Sequence, residues 1–130
     1  DGILLCIDSS NNNITYAAAN NSPVHIQNNQ IIELPADRMP VGVGERKESF
    51  KNYSIQANKG DMLYLYTDGY ADQFGGPKGK KFKYKPLNEM LLASHKENLA
   101  QQQEIIRDTF ENWRGNLEQV DDVCVIGVRV

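Results

Sequence analysis

An α+β fold is predicted by three features of these 130 residues. Short apolar runs separated by asparagine, glycine and proline turns fill the first half, helix-period segments follow from Pro86, and an alternating run, Val123 to Val130, closes the chain. Strands, then helices, then a strand argue for layers of antiparallel sheet and helix rather than an alternating parallel sheet. At 40% hydrophobic and 24% charged residues, the length suits one domain over residues 1–130. A globule of this size hides roughly two-thirds of its unfolded surface, so it needs neither a disulfide framework nor a structural metal.

Ile3 to Ile7 is apolar, Asp8 to Asn13 is a turn whose side chains bond their own backbone, and Ile14 to Ala18 resumes the extended pattern as a hairpin. Val24 to Gln27 and Ile31 to Leu34 form a second hairpin around Asn28-Asn29. Pro35 to Gly44 carries two prolines and two glycines and reads as a loop between sheet edges. Phe50 to Gln56 alternates as a strand. After the turn Lys59-Gly60-Asp61, Met62 to Tyr66 is apolar or aromatic on both faces, which marks a central, covered strand.

Gly75 to Gly79 excludes regular structure, and Lys78, Lys80, Lys81, Lys83 and Lys85 follow on one exposed stretch. Pro86 suits a first helical turn and Gly115 the position past a helix end. Between them, Leu87, Met90 and Leu91 share one helix face, and Ile105, Ile106, Phe110 and Trp113 share another. In the last strand Cys124, Ile126, Val128 and Val130 alternate onto the buried face. Cys6 and Cys124 are therefore expected as reduced core residues. Two helices are too few to cover a strand apolar on both faces, so further cover is expected from sequence upstream.

A net charge of -3 matches poorly with the phosphate backbone, so nucleic acid is not an expected partner. No run approaches the roughly 18 apolar residues of a membrane span, and Asp1 opens without a signal-peptide pattern. The expectation is a cytoplasmic piece of a longer chain with no direct membrane contact. Uncovered sheet edges and apolar faces predict a homodimer. His25 and His95 stand alone, without zinc-ligand spacing, and Gly75 to Lys81 lacks the pattern of a nucleotide-phosphate loop.

Two acidic motifs carry the candidate chemistry. In Tyr66-Thr67-Asp68-Gly69-Tyr70 a carboxylate follows a covered strand, and Gly69 lets the chain turn sharply behind it. Asp68 is placed to bind a hard cation, although taken alone it reads first as a turn aspartate satisfying nearby amides. In Gln119-Val120-Asp121-Asp122-Val123 the adjacent acids repel, and either open water or a divalent cation relieves that repulsion. Together, Asp68 and Asp121 supply two oxygen ligands of the kind magnesium or manganese takes.

These residues resemble the SpoIIE-like bacterial branch of the metal-dependent PPM protein serine/threonine phosphatases. The resemblance rests on Tyr16-Ala17-Ala18-Ala19-Asn20-Asn21-Ser22-Pro23, Met39-Pro40-Val41-Gly42, Gly60-Asp61 through Leu65-Tyr66-Thr67-Asp68-Gly69, Asp72-Gln73-Phe74-Gly75-Gly76, and Asp121-Asp122-Val123. It implies an antiparallel β-sandwich flanked by helices in α-β-β-α order, with two manganese or magnesium ions at one edge. It assigns metal binding to Asp68 and Asp121, with Gly69 and Asp122 as adjoining candidates, and attack on phosphorus by a metal-activated water. The family also uses an aspartate and an aspartate-glycine segment from an N-terminal half, which no residue here supplies. The 130 residues are thus expected to be the carboxyl-terminal portion of the domain, with little turnover and weak or no metal binding of their own. Cys124 stands where the family often has threonine.

The resemblance implies a phosphoserine or phosphothreonine phosphatase acting on a phosphorylated regulatory protein, as the output end of a bacterial signalling protein. Lys78, Lys80 and Lys81 are substrate-contact candidates, or else a solvated loop. A haloacid-dehalogenase-like phosphatase needs a nucleophilic aspartate two residues before its second, where Tyr66 stands here. The alternative from another class is a non-catalytic phosphatase-like domain that binds a protein partner.

Overall fold

The computed structural model describes residues 1–46 and 48–130. They form two compact units, Asp1–Leu65 with Ile126–Val130, and Tyr66–Val125. Along the chain run β1 (Gly2–Asp8), β2 (Asn13–Ala19), β3 (Val24–Gln27), β4 (Gln30–Glu33), β5 (Tyr53–Gln56) and β6 (Met62–Tyr66). Then come α1 (Gly69–Asp72), β7 (Phe74–Gly75), β8 (Lys80–Lys81), α2 (Tyr84–Ser94), α3 (Leu99–Arg114) and β9 (Val125–Arg129). The expected α+β class with antiparallel sheets is what the chain adopts.

In the first unit, β1, β2 and β5 make one sheet in that order, and β4, β3, β6 and β9 make a second. Both expected hairpins form, with Ile7 opposite Ile14 in one and Ile26 opposite Ile31 in the other. Asn28 and Asn29, at φ 52° and 58°, supply the two left-handed residues that a two-residue turn of this twist requires, and asparagine tolerates that region better than most side chains. Period-two alternation then sends Ile14, Tyr16 and Ala18 of β2 inward, where they meet Leu63 of β6 together with Leu34 and Ala57. Ile3, Leu5 and Ile7 of β1, Tyr53 and Ile55 of β5, and Val128 and Val130 pack onto that cluster from both sheets. The two sheets therefore share a core as a sandwich.

Several expectations need correcting. Cys6 and Cys124 are both free and exposed. In β1 the inward residues are Ile3, Leu5 and Ile7, so Cys6 falls on the opposite face with Leu4, which is 78% exposed. Val128 and Val130 do reach the core, but Ile126 on the same alternation is 49% exposed, so that face of β9 is buried only at its far end. The strand expected from Phe50 begins only at Tyr53. Upstream of it, Lys51 N–H donates to the Asp37 carboxylate at 2.7 Å, while Asp37 N–H and C=O bond Ala18 and Asn20 at 2.9 and 2.8 Å. The loop thus occupies the end of β2, where a longer β5 would have paired.

Met62, Leu63 and Tyr64 of β6 are all fully buried, as a central strand requires. At the start of that strand, Asp61 is 8% exposed and its Oδ2 accepts from Asn58 N–H, Gln27 Nε2 and the His25 ring, each at 2.8 Å. Burial acts to raise its pKa, but the amide of Asn58 and the His25 and Gln27 contacts outweigh it and hold the carboxyl below its ordinary 3.8. No motif marked this cluster, because His25 and Gln27 of β3 lie more than 30 residues before Asp61 in sequence.

In the second unit Leu87 and Leu91 of α2 and Phe110 of α3 are buried, as their spacing predicts, whereas Ile105 is 36% exposed. Asn98 caps α3 by accepting from Gln101 N–H at 2.8 Å, and Gly115 ends it at φ 56°. The Tyr70 ring lies 5.2 Å from Phe82 and 5.0 Å from Phe110, and Phe82 lies 5.4 Å from Trp113, a chain of edge and tilted aromatic contacts. The stretch Gly75 to Gly79, expected to be irregular, closes a short hairpin: Phe74 pairs with Lys81 and Gly75 with Lys80. Gly76 and Gly79 take φ 70° and 58° in its turn, and a Cβ on Gly75 would lie 1.8 Å from the Trp113 carbonyl oxygen.

Two outcomes are expected. Because the Asp61 pKa is depressed on folding, its contribution is present above the unfolded value near 3.8 and is lost as pH falls from there through the lower folded value. Asp61→Asn flattens the acid limb of a urea-midpoint profile followed by circular dichroism, and lowers neutral stability by about 1–3 kcal/mol because a neutral amide oxygen replaces a charged acceptor shared by three donors. Gly75→Ala costs at least about 1–3 kcal/mol through overpacking, read from unfolding monitored by the fluorescence of Trp113.

Candidate functional site

At the end of β6 the chain passes through Thr67, Asp68 and Gly69 into the four-residue helix α1. Thr67 ties this segment to residues remote in sequence. Its N–H donates to the Cys124 carbonyl at 3.0 Å, its hydroxyl donates to the Asp122 carbonyl at 2.9 Å, and the same hydroxyl accepts from Cys124 N–H at 3.0 Å. A hydroxyl is the smallest side-chain group that donates and accepts at once, and here it does both. Gly69 closes the seam: a Cβ there would lie 2.3 Å from the Asp122 carbonyl oxygen. Only glycine permits the main chains to approach so closely.

Asp68 and Asp121 are both exposed. Asp68 occupies the cap position of α1 at φ −70°, ψ −16°, and its carbonyl accepts from Asp72 N–H at 2.9 Å. Its carboxylate makes no capping bond, although a cap aspartate ordinarily accepts from the helix amides. Asp121 directs Oδ1 to the N–H of Asp122 at 2.8 Å, which orients its carboxylate. Asp122 serves through its main chain, as the anchor for Thr67 and the close neighbour of Gly69. The structure thus joins the two acidic segments that the sequence singled out. The seam places carboxylates on fixed backbone at its two sides.

The donors are hard carboxylate oxygens, which suit magnesium or manganese and not a soft ion. Among the described residues no three histidine, cysteine, aspartate or glutamate side chains gather into a metal-holding group. Two carboxylates do not complete an oxygen shell by themselves; an ion held by such acids takes water or other ligands to fill it.

Lys78, Lys80 and Lys81 are exposed, as expected. Lys81 is engaged: its Nζ lies 3.0 Å from Asp72 Oδ1 and 5.8 Å from the Phe74 ring centroid. His25 is buried in the first unit with Asp61, and His95 caps the C-terminus of α2. Sequence reasoning missed Thr67 as the linking group. It also missed Gln73, fully buried, whose Nε2 donates to the Phe74 and Glu118 carbonyls at 3.0 and 2.8 Å while its main-chain carbonyl accepts from Trp113 Nε1 at 3.0 Å. A threonine immediately before the acid was a visible signal for the first; nothing in spacing reveals the second.

The family model described as stage II sporulation protein E (SpoIIE) matches residues 2–130. Protein IcfG of Synechocystis is 32% identical over 126 residues, covering 94% of this chain and 19% of that protein. The SiaA-PP2C domain of Pseudomonas aeruginosa superposes with a TM-score of 0.87 at 26% identity, over 98% of this chain and 50% of that one. The PP2C phosphatase domain of SpoIIE from Bacillus subtilis, solved with a fragment of its regulatory domain, gives a TM-score of 0.71 at 20% identity, a likeness of fold; it covers 98% of this chain and 37% of that one. The chain spans half or less of the length of each of these relatives.

Gly69→Ala is expected to force the seam open. Its added Cβ costs about 1–3 kcal/mol, measured by urea unfolding with Trp113 as reporter.

Proposed function

This chain belongs to the SpoIIE family, whose solved relatives include PP2C phosphatase domains, and from that membership we propose that the intact protein hydrolyses phosphoserine or phosphothreonine on a regulatory protein, as the output end of a bacterial signalling protein. Asp68 and Asp121 help hold two divalent cations, manganese or magnesium. When bound, such ions provide a water of lowered pKa and positive charge against the phosphoryl oxygens. The chain's own residues supply placement: Thr67 and Gly69 fix the two acidic segments to each other, so the carboxylates need not be ordered when substrate arrives. The single observation that supports this proposal most is the Thr67 hydroxyl bonded at once to Asp122 and Cys124. The 130 residues alone bring two carboxylates to the seam and are proposed to turn over little without the rest of the domain.

The test is manganese-dependent hydrolysis of p-nitrophenyl phosphate by the intact protein. Asp68→Asn lowers kcat/KM by at least about 100-fold, the upper end of what loss of a supporting partner to a ligand costs, and weakens manganese binding in calorimetry. Equal activity in the variant removes Asp68 from catalysis. An inert intact protein that still captures a signalling partner after Asp121→Asn supports the non-catalytic binding module instead.

A further inference from the structure

Charge on this chain is unevenly distributed. Residues 72–85 hold five lysines against the single acid Asp72, a local charge of +4, so with the whole chain at -3 the remainder carries -7. Lys81 is paired with Asp72, but Lys78, Lys80, Lys83 and Lys85 are exposed and form no ion pair among the described residues. Four like charges this close repel one another, and those at the start of α2 stand where the helix dipole disfavours cations. Among the described residues no acid pairs with them.

The lysines are also carried on a stiff support rather than a loose loop. Gly76 N–H donates to the Trp113 carbonyl at 2.8 Å, Phe82 N–H to the Gln73 carbonyl at 3.0 Å and Lys83 N–H to the Ala71 carbonyl at 2.8 Å. Trp113 lies directly against Gly75 and Gly76, so the hairpin is bolted to α3. Lys83 itself sits at φ 76°, ψ 161°, a region that is close to glycine-only. A glycine would relieve that strain, yet a cationic side chain stands there.

We propose that the β7–β8 hairpin and the start of α2, through Lys78, Lys80, Lys83 and Lys85, form a docking surface for an acidic segment of the phosphorylated protein substrate. This rests on the phosphatase reading above and adds the chemistry by which the substrate protein is held. The chain itself favours a short acidic peptide over an extended polyanion. A nucleic acid or an anionic membrane would bring negative charge against a remainder of -7, whereas a few carboxylates flanking a phosphoserine meet only the local +4. The support runs unbroken from Asp68 through α1 into β7, which sets this surface on the same unit as the acidic seam.

The experiment uses the intact protein and two fluorescein-labelled phosphoserine peptides, one flanked by glutamates and one by serines and alanines. Fluorescence anisotropy is read without added metal and then with manganese while hydrolysis is followed. The acidic peptide is expected to bind at least tenfold more tightly than the neutral one, with a preference that shrinks between 50 and 500 mM salt as screening shortens on the scale of about 10 Å at 0.1 M. Lys78→Gln/Lys80→Gln abolishes most of the preference, and Lys83→Gly reduces it by about threefold or more, while Lys96→Gln on the α2–α3 turn leaves it intact. Equal affinity for both peptides, or a preference that survives the double variant, overturns the proposal, as does binding of single-stranded DNA or phosphatidylserine vesicles in place of the acidic peptide. Preferential binding with no hydrolysis of either peptide keeps the docking surface and defeats the phosphatase reading, so the two failures are told apart.

Discussion

The candidate site depends on one hydroxyl group and one missing methyl. Thr67 Oγ1 bonds the Asp122 carbonyl and the Cys124 amide, and Gly69 has no Cβ where the Asp122 carbonyl oxygen lies. Each acts on main chain rather than on a carboxylate. The acids are left to solvent and to whatever they bind, while their backbones are fixed. Asp121 commits only Oδ1, to the N–H of its neighbour Asp122. The uncapped state of Asp68 at the start of α1 follows the same division of labour.

The supporting structure in the second unit is built around aromatic packing and one buried amide. Tyr70 directs its hydroxyl to the Ile106 carbonyl at 2.8 Å and sets its ring edge-on to Phe82 and tilted against Phe110. Burial pushes its phenol far above the ordinary value near 10, so it remains a neutral donor across the working range. Gln73 and Trp113 then clamp the segment after α1 to the end of α3. One short stretch, residues 67–83, thus carries the acidic seam at one end and the basic hairpin at the other.

Much of this was legible beforehand because it is local. Both asparagine hairpins, the covered strand before Asp68, the two helices with their proline and glycine ends, and the acidic motifs follow from backbone preferences and from periods of two and 3.6 residues. Errors arose where a partner distant in sequence decided the outcome. Phe50 to Asn52 alternate like a strand, but Asp37 had already taken the end of β2. Glycines 75 and 76 look like loop residues until Trp113 is laid on them. Cys6 has an apolar neighbourhood in sequence, yet the core takes the Ile3, Leu5 and Ile7 face of β1 and leaves Cys6 exposed.

The sequence by itself determined the α+β class, the order of elements, the positions of the acids and the lysine-rich stretch, since each depends on the identity and spacing of near neighbours. Only the tertiary structure decided that Thr67 would join residues 122 and 124, that Asp68 would leave its helix uncapped, and that Gln73 and Trp113 would hold the hairpin rigid. Those contacts join residues some 40 to 57 positions apart, and hydrogen bonds of about 3 Å demand a geometry that pattern and propensity do not encode.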